Sequence, residues 1–115
     1  MNSKQNYLRA IYELTDGGDS NTTTSELADY LEVSNASVSE AIQKLESDGL
    51  VCRVPYKGFT LSPVGREKAS ELEEKYSVLE QFFGELGVKN PEKEADAVAH
   101  AISMEAVEKI RENSG

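Results

Sequence analysis

Apolar residues recur at helical spacing along most of this 115-residue chain and change to strand-like alternation once. In "KQNYLRAIYELT" (4–15), Tyr7, Leu8, Ile11, Tyr12 and Leu14 fall on one stripe, which predicts a first helix. "DGGDSN" (16–21) interrupts it with two glycines and polar turn formers. "TTSELADYL" opens a second helix. Thr23 followed three residues later by Glu26 is a capping-box pattern, and Leu27, Ala28 and Leu31 supply the apolar face. After the short "EVS" turn, Ser34 caps a third helix in which Val38, Ala41, Ile42 and Leu45 share a narrow arc. Ala36, Glu40, Gln43 and Ser47 point the other way, flanked by Ser37, Ser39 and Lys44. Gly49 is the expected stop. "LVCRVPYKGFTLS" (50–62) predicts two short strands joined by "PYKG", a hairpin.

The rest of the chain returns to the helical period. Ser62 caps and Pro63 begins a long fourth helix, whose Leu72, Tyr76, Leu79, Phe83 and Leu86 step by four, three, four and three residues. Those side chains are too many and too large for a lone surface helix to bury. With Met104 and Val107 they are expected to face a second copy of the chain. Gly87 ends the fourth helix, Asn90-Pro91 begins a fifth that runs to about Ile102, and Ser103 caps a sixth. Helix, helix, short turn, helix, hairpin is the order of a winged helix-turn-helix. The expected architecture is mainly α: a winged helix-turn-helix DNA-binding domain over 1–65, followed by a helical dimerisation region over 66–115.

Composition narrows the function. With 38% hydrophobic residues and no Trp the core is modest, and a short chain often gains buried surface by oligomerising. The single cysteine, Cys52, allows neither an internal disulfide nor a Cys-based zinc cluster, which fits a reducing cytoplasm. No apolar run approaches the ~20 residues that span a bilayer, and the N-terminus does not read as a signal peptide, so a soluble cytoplasmic protein without a membrane partner is expected. One His, one Cys, no Gly-rich phosphate loop and no Ser-His-Asp spacing leave no catalytic set, and no enzyme activity is expected.

Charge adds a location. A formal net charge of −9 argues against nonspecific coating of nucleic acid. Yet residues 40–68 set Lys44, Arg53, Lys57, Arg66 and Lys68 against Glu40, Glu46, Asp48 and Glu67, and this is the one stretch that is not negative. In a winged helix the third helix enters the major groove and the wing touches the flanking backbone or minor groove. Small Ala36, Ser37 and Ser39, next to the Ser34 cap, let the backbone approach base edges. Gln43 suits adenine, Glu40 suits cytosine N4, and Lys44 suits a phosphate. Thr23, Thr24 and Ser25 offer hydroxyls and free N–H groups to another phosphate, and Arg53, Tyr56 and Lys57 supply charge and hydrogen bonds from the wing. The alternative is a winged-helix protein-interaction module that has given up DNA, with Glu40 and the acidic surface in its favour.

"NYLRAIYEL", "TSELADYLEVSNASVSEAIQKLESDGLV", "YKGFTLSPVGREKA" and "LEQFFGELGV" together resemble the diphtheria toxin repressor / manganese transport regulator family over about residues 4–112. The resemblance implies a homodimeric transcriptional regulator of the repressor type on palindromic double-stranded DNA operators, loaded with Fe2+ or Mn2+. Its dimer interface would lie in the helices after the wing, and the chain would be a short form without the SH3-like third domain. The family draws metal ligands from the first, fourth and fifth helices. Here Asn6 and Arg9 stand at first-helix ligand positions, Tyr76 stands where the fourth helix carries a histidine, and Ala99 replaces a carboxylate. Glu80, Asp96 and His100 match ligand positions, with Glu92 nearby; the alternative is that His100 is an interface histidine paired with Asp96. The resemblance therefore leaves two readings. In one, Arg9 takes the place of the ion, bridging to Glu80 or Asp96, and no cofactor is required. In the other, a reduced Glu/Asp/His site still holds a divalent metal.

The acid excess also matches a protein kept soluble in a very salty cytoplasm, where the Debye length falls to ~3 Å at 1 M and phosphate attraction is heavily screened. An ordinary acidic regulator is the alternative.

Overall fold

Six helices and one antiparallel hairpin occur among the described residues of the computed structural model, which describes residues 3–113. They are α1 (Ser3–Leu14), α2 (Thr24–Leu31), α3 (Asn35–Ser47), β1 (Val51–Val54), β2 (Gly58–Leu61), α4 (Pro63–Leu86), α5 (Pro91–Ala99) and α6 (Met104–Asn113). The chain divides into two compact units, one over Ser3–Ser70 and one from Glu71 onward.

In the first unit the caps set the helix starts. The Thr23 hydroxyl accepts from the Glu26 amide at 3.1 Å, and the Ser34 hydroxyl accepts from the Ser37 amide at 3.1 Å. Behind them Leu8 and Ile11 of α1, Leu27 of α2, and Val38, Ile42 and Leu45 of α3 are buried with Leu50, Val51, Phe59 and Leu61 of the hairpin. The hairpin pairs Val51 with Leu61 through Val54 with Gly58. Ser62 ties its base to α4: the hydroxyl donates to the Gly49 carbonyl at 2.6 Å and accepts from the Gly65 amide at 3.0 Å.

The segment between α1 and α2 is more than the loop its composition predicts. Fully buried Thr22 exchanges both backbone hydrogen bonds with Phe59, each at 2.9 Å, and so adds an isolated rung on the other side of β2. The Thr60 hydroxyl donates to the Ser20 carbonyl at 2.8 Å and lies 3.2 Å from that of Gly18. Gly58 is where this rung passes closest. Its φ is +96°, and a Cβ there would sit 2.0 Å from the Thr22 carbonyl oxygen. Only glycine fits.

The second unit packs α4, α5 and α6 around Leu79, Ala95 and Ala99, with Tyr76, Phe83, Val98, Ile102 and Ile110 against them. Two expectations change here. The fifth helix stops at Ala99 instead of Ile102, because the amides of Ala101 and Ile102 both turn back to the Val98 carbonyl at 2.9 and 3.2 Å. That tight turn frees Ser103 to cap α6, accepting from the Ala106 amide at 3.1 Å.

The stripe expected to meet a second copy is the other. Leu72, Leu79 and Val107 are buried within the single chain, Leu79 and Val107 almost completely, so they have no surface left to offer. Tyr76 is half-buried on the unit's own core and donates its hydroxyl to the Glu92 carbonyl at 3.2 Å. A period of three and four marks the buried side of a helix without saying which chain buries it. Of the seven residues, Phe83, Leu86 and Met104 keep accessible surface in any quantity beyond Tyr76.

Candidate nucleic-acid interface

The outward face of α3 is open. Ala36, Ser37, Ser39, Glu40, Gln43 and Lys44 are all exposed, as is the capping Ser34, so nothing in the first unit covers the residues expected to read bases. Their smallness follows from the helix sequence: one apolar arc of Val38, Ile42 and Leu45 is spent on the core, and the opposite arc holds no side chain bulkier than Gln or Lys. At the start of α2, Thr23 and Thr24 are half-buried and Ser25 is exposed. The Thr23 oxygen is already engaged with the Glu26 amide. Thr22, which sequence reasoning passed over, donates its hydroxyl to the Glu26 carboxylate at 3.2 Å and closes the cap from the other side.

The bases on this face have acidic neighbours of their own. Lys44 lies 3.6 Å from Glu40, one helical turn away, and Arg53 Nε donates to Glu46 at 3.1 Å. Lys4 of α1 pairs with Asp48 at 2.8 Å. All six of these side chains are at least two-fifths exposed, so each pair is screened and contributes little to stability. Glu40 thus has an ion-pair partner in the free protein. At the wing tip Lys57 makes no ion pair among the described residues, and Tyr56 is fully exposed.

The candidate metal ligands are not gathered. Glu80 and Asp96 are half-buried in the second unit, and His100 is an exposed C-cap at the end of α5. Among the described residues no three His, Cys, Asp or Glu side chains stand close enough together to hold a metal ion. The donors that would complete a ligand set are replaced by groups committed elsewhere. Tyr76 ties α4 to the backbone of α5, and Ala99 lies in the core, where a carboxylate would be stripped of water without a partner. Arg9 is half-buried on α1 and belongs to the first unit.

Residues 1–59 match the family model for the N-terminal DNA-binding domain of iron-dependent repressors. The HTH-type transcriptional regulator MntR of Geobacillus kaustophilus is 30% identical over 110 residues, which cover 94% of this chain and 77% of that protein. Its counterpart in Lysinibacillus sphaericus is 28% identical, covering 94% and 78%. Among solved structures, the manganese regulator SloR superposes with a TM-score of 0.81 at 30% identity over 97% of this chain, and the metal-dependent transcriptional regulator MtsR with 0.82 at 27% identity over 96%. This chain spans about half the length of those two, 53% and 52%.

Proposed function

Because this chain belongs to the iron-dependent repressor family, we propose that it is a transcriptional regulator of the repressor type that binds a palindromic DNA operator as a homodimer. The observation that supports this best is the open, small-residue face of α3, capped by Ser34 and set beside a hairpin that carries Lys57. On this reading α3 occupies the major groove, Gln43 contacts a base edge and Lys44 exchanges Glu40 for a phosphate. The second copy docks on the surface that Phe83, Leu86 and Met104 leave accessible.

A pool of randomised duplexes tests it. The full chain is expected to enrich a two-fold symmetric sequence. On that duplex Gln43→Ala is expected to bind about tenfold more weakly and to lose discrimination at one base pair per half-site, as expected when a single specific base contact is removed. Enrichment of no sequence would favour the interaction-module alternative.

Several of the similar proteins are described as manganese-dependent or as binding Zn2+. In this chain the donor set does not fit a metal ion: a guanidinium, a phenol and a methyl group stand where the resemblance places ligands. The proposal is that binding needs no metal and depends on Arg9 instead. EDTA is then expected to leave the affinity for the selected duplex unchanged, while Arg9→Ala lowers it with the enriched sequence unaltered. A large loss in EDTA that Mn2+ restores would overturn this and favour the metal-responsive reading.

A further inference from the structure

The wing tip holds a side chain for which the free protein has no use. Val54, Pro55, Tyr56 and Lys57 form a turn closed by the Lys57 amide on the Val54 carbonyl at 3.0 Å. Proline sits in its second position, and its third, Tyr56, has φ +63°. A turn of that kind asks for glycine or asparagine at the third position, and a bulky L side chain there is an outlier. Two other non-glycine residues among those described share a positive φ, and each has a local reason. Asp16 is a short polar residue in a glycine-rich turn. Glu32 is the C-cap of α2, its amide satisfying the carbonyls of Ala28 and Asp29. Tyr56 takes the angle that its turn demands, but it does so with a bulky ring that is fully exposed, and neither that ring nor its hydroxyl has a partner among the described residues. A bulky residue kept in a strained backbone position where its side chain touches nothing points to a function realised on binding.

We infer that Tyr56 is a minor-groove probe that reads the base pairs flanking the site of α3. This rests on the DNA-binding function proposed above and adds a specificity-determining residue to it. The wing belongs to the same compact unit as α3, lies in the one stretch of the chain that is not acidic, and carries as its next residue Lys57, which has no ion pair among the described residues. A phenol suits the groove chemically. Its flat face packs against the sugar walls, and its hydroxyl donates to adenine N3 or thymine O2, whereas the amino group of guanine fills the groove floor. The backbone that carries the ring is also held in place before binding. Val54 pairs with Gly58, and Gly58 abuts the Thr22 carbonyl, so little ordering is left to do.

The test uses duplexes that keep the selected half-sites and vary only the flanking steps. The full chain is expected to prefer A·T over G·C flanks by about tenfold, the size of one readout contact. Tyr56→Gly and Tyr56→Asn should abolish that preference, retain discrimination within the half-sites, and melt at or above the wild-type temperature. Lys57→Ala, which removes a phosphate contact, should weaken both flanks equally and flatten the salt dependence. A flank preference that survives in Tyr56→Gly overturns the inference, as does a marked drop in its melting temperature. Wild-type binding with no flank preference overturns it alone, whereas a wild-type chain that binds no duplex overturns the DNA-binding reading with it.

Discussion

Gly58→Ala is expected to destabilise the first unit by about 3 kcal/mol or more, placing it among the rare large single-residue effects. Two penalties fall on one atom. The added Cβ meets the Thr22 carbonyl oxygen at 2.0 Å, and the backbone carries φ +96°. Relief requires the Thr22–Phe59 rung to open, which exposes the buried Thr22 and breaks two hydrogen bonds of 2.9 Å. Gly49→Ala is the control. Its φ is +75°, yet nothing lies within 4 Å of the new Cβ, so only the backbone term of about 1–2 kcal/mol remains. Denaturant midpoints of the two variants measure the difference. Equal midpoints would mean that the α1–α2 segment does not brace the wing.

Leu79→Ala is expected to cost about 2–5 kcal/mol, the range for a buried leucine whose cavity the neighbours cannot fill. Leu79 is 1% exposed in the single chain and sits at the centre of the Leu79, Ala95 and Ala99 core. The loss should therefore be the same at low and high protein concentration. Leu86, at the end of the same helix, is 62% exposed. Leu86→Ala should leave the unfolding free energy of a dilute sample within about 0.5 kcal/mol of wild type, as surface substitutions do, while shifting the monomer–dimer midpoint to higher concentration. Sedimentation across a concentration series, paired with denaturation at its two ends, separates the two roles. If Leu86→Ala leaves the oligomeric state untouched, the accessible end of α4 is not where a second copy docks.

Local signals carried most of the fold. Caps at Thr23, Ser34, Asn90 and Ser103 work through groups at most three residues apart, and each lies where its pattern placed it. Long-range pairing left weaker traces. Nothing in "DGGDSN" or in Thr22 announces a rung on Phe59, because the partner is almost forty residues away and the segment lacks alternation. Gly58 reads as an ordinary hairpin glycine for the same reason. On α4 the stripe from Leu72 to Leu86 is real, but periodicity reports burial without naming its cause, and α5 and α6 claim part of it. In the site, side-chain type located the open face of α3. The ion pairs that occupy Lys44 and Arg53 depend on reach and rotamer, which composition does not convey.

Those two pairs bear on how the face meets a polyanion. A lysine or arginine that already holds a carboxylate brings its own counter-ion to the groove, so fewer dissolved ions are rearranged when a phosphate takes its place. On the proposed DNA-binding reading, a phosphate that displaces Glu40 or Glu46 exchanges one screened partner for another, so random duplex gains little from either base. Under that same reading a matched sequence gains through base contacts instead, so a face neutralised from within would favour discrimination over affinity and lose less of its grip as ionic strength climbs.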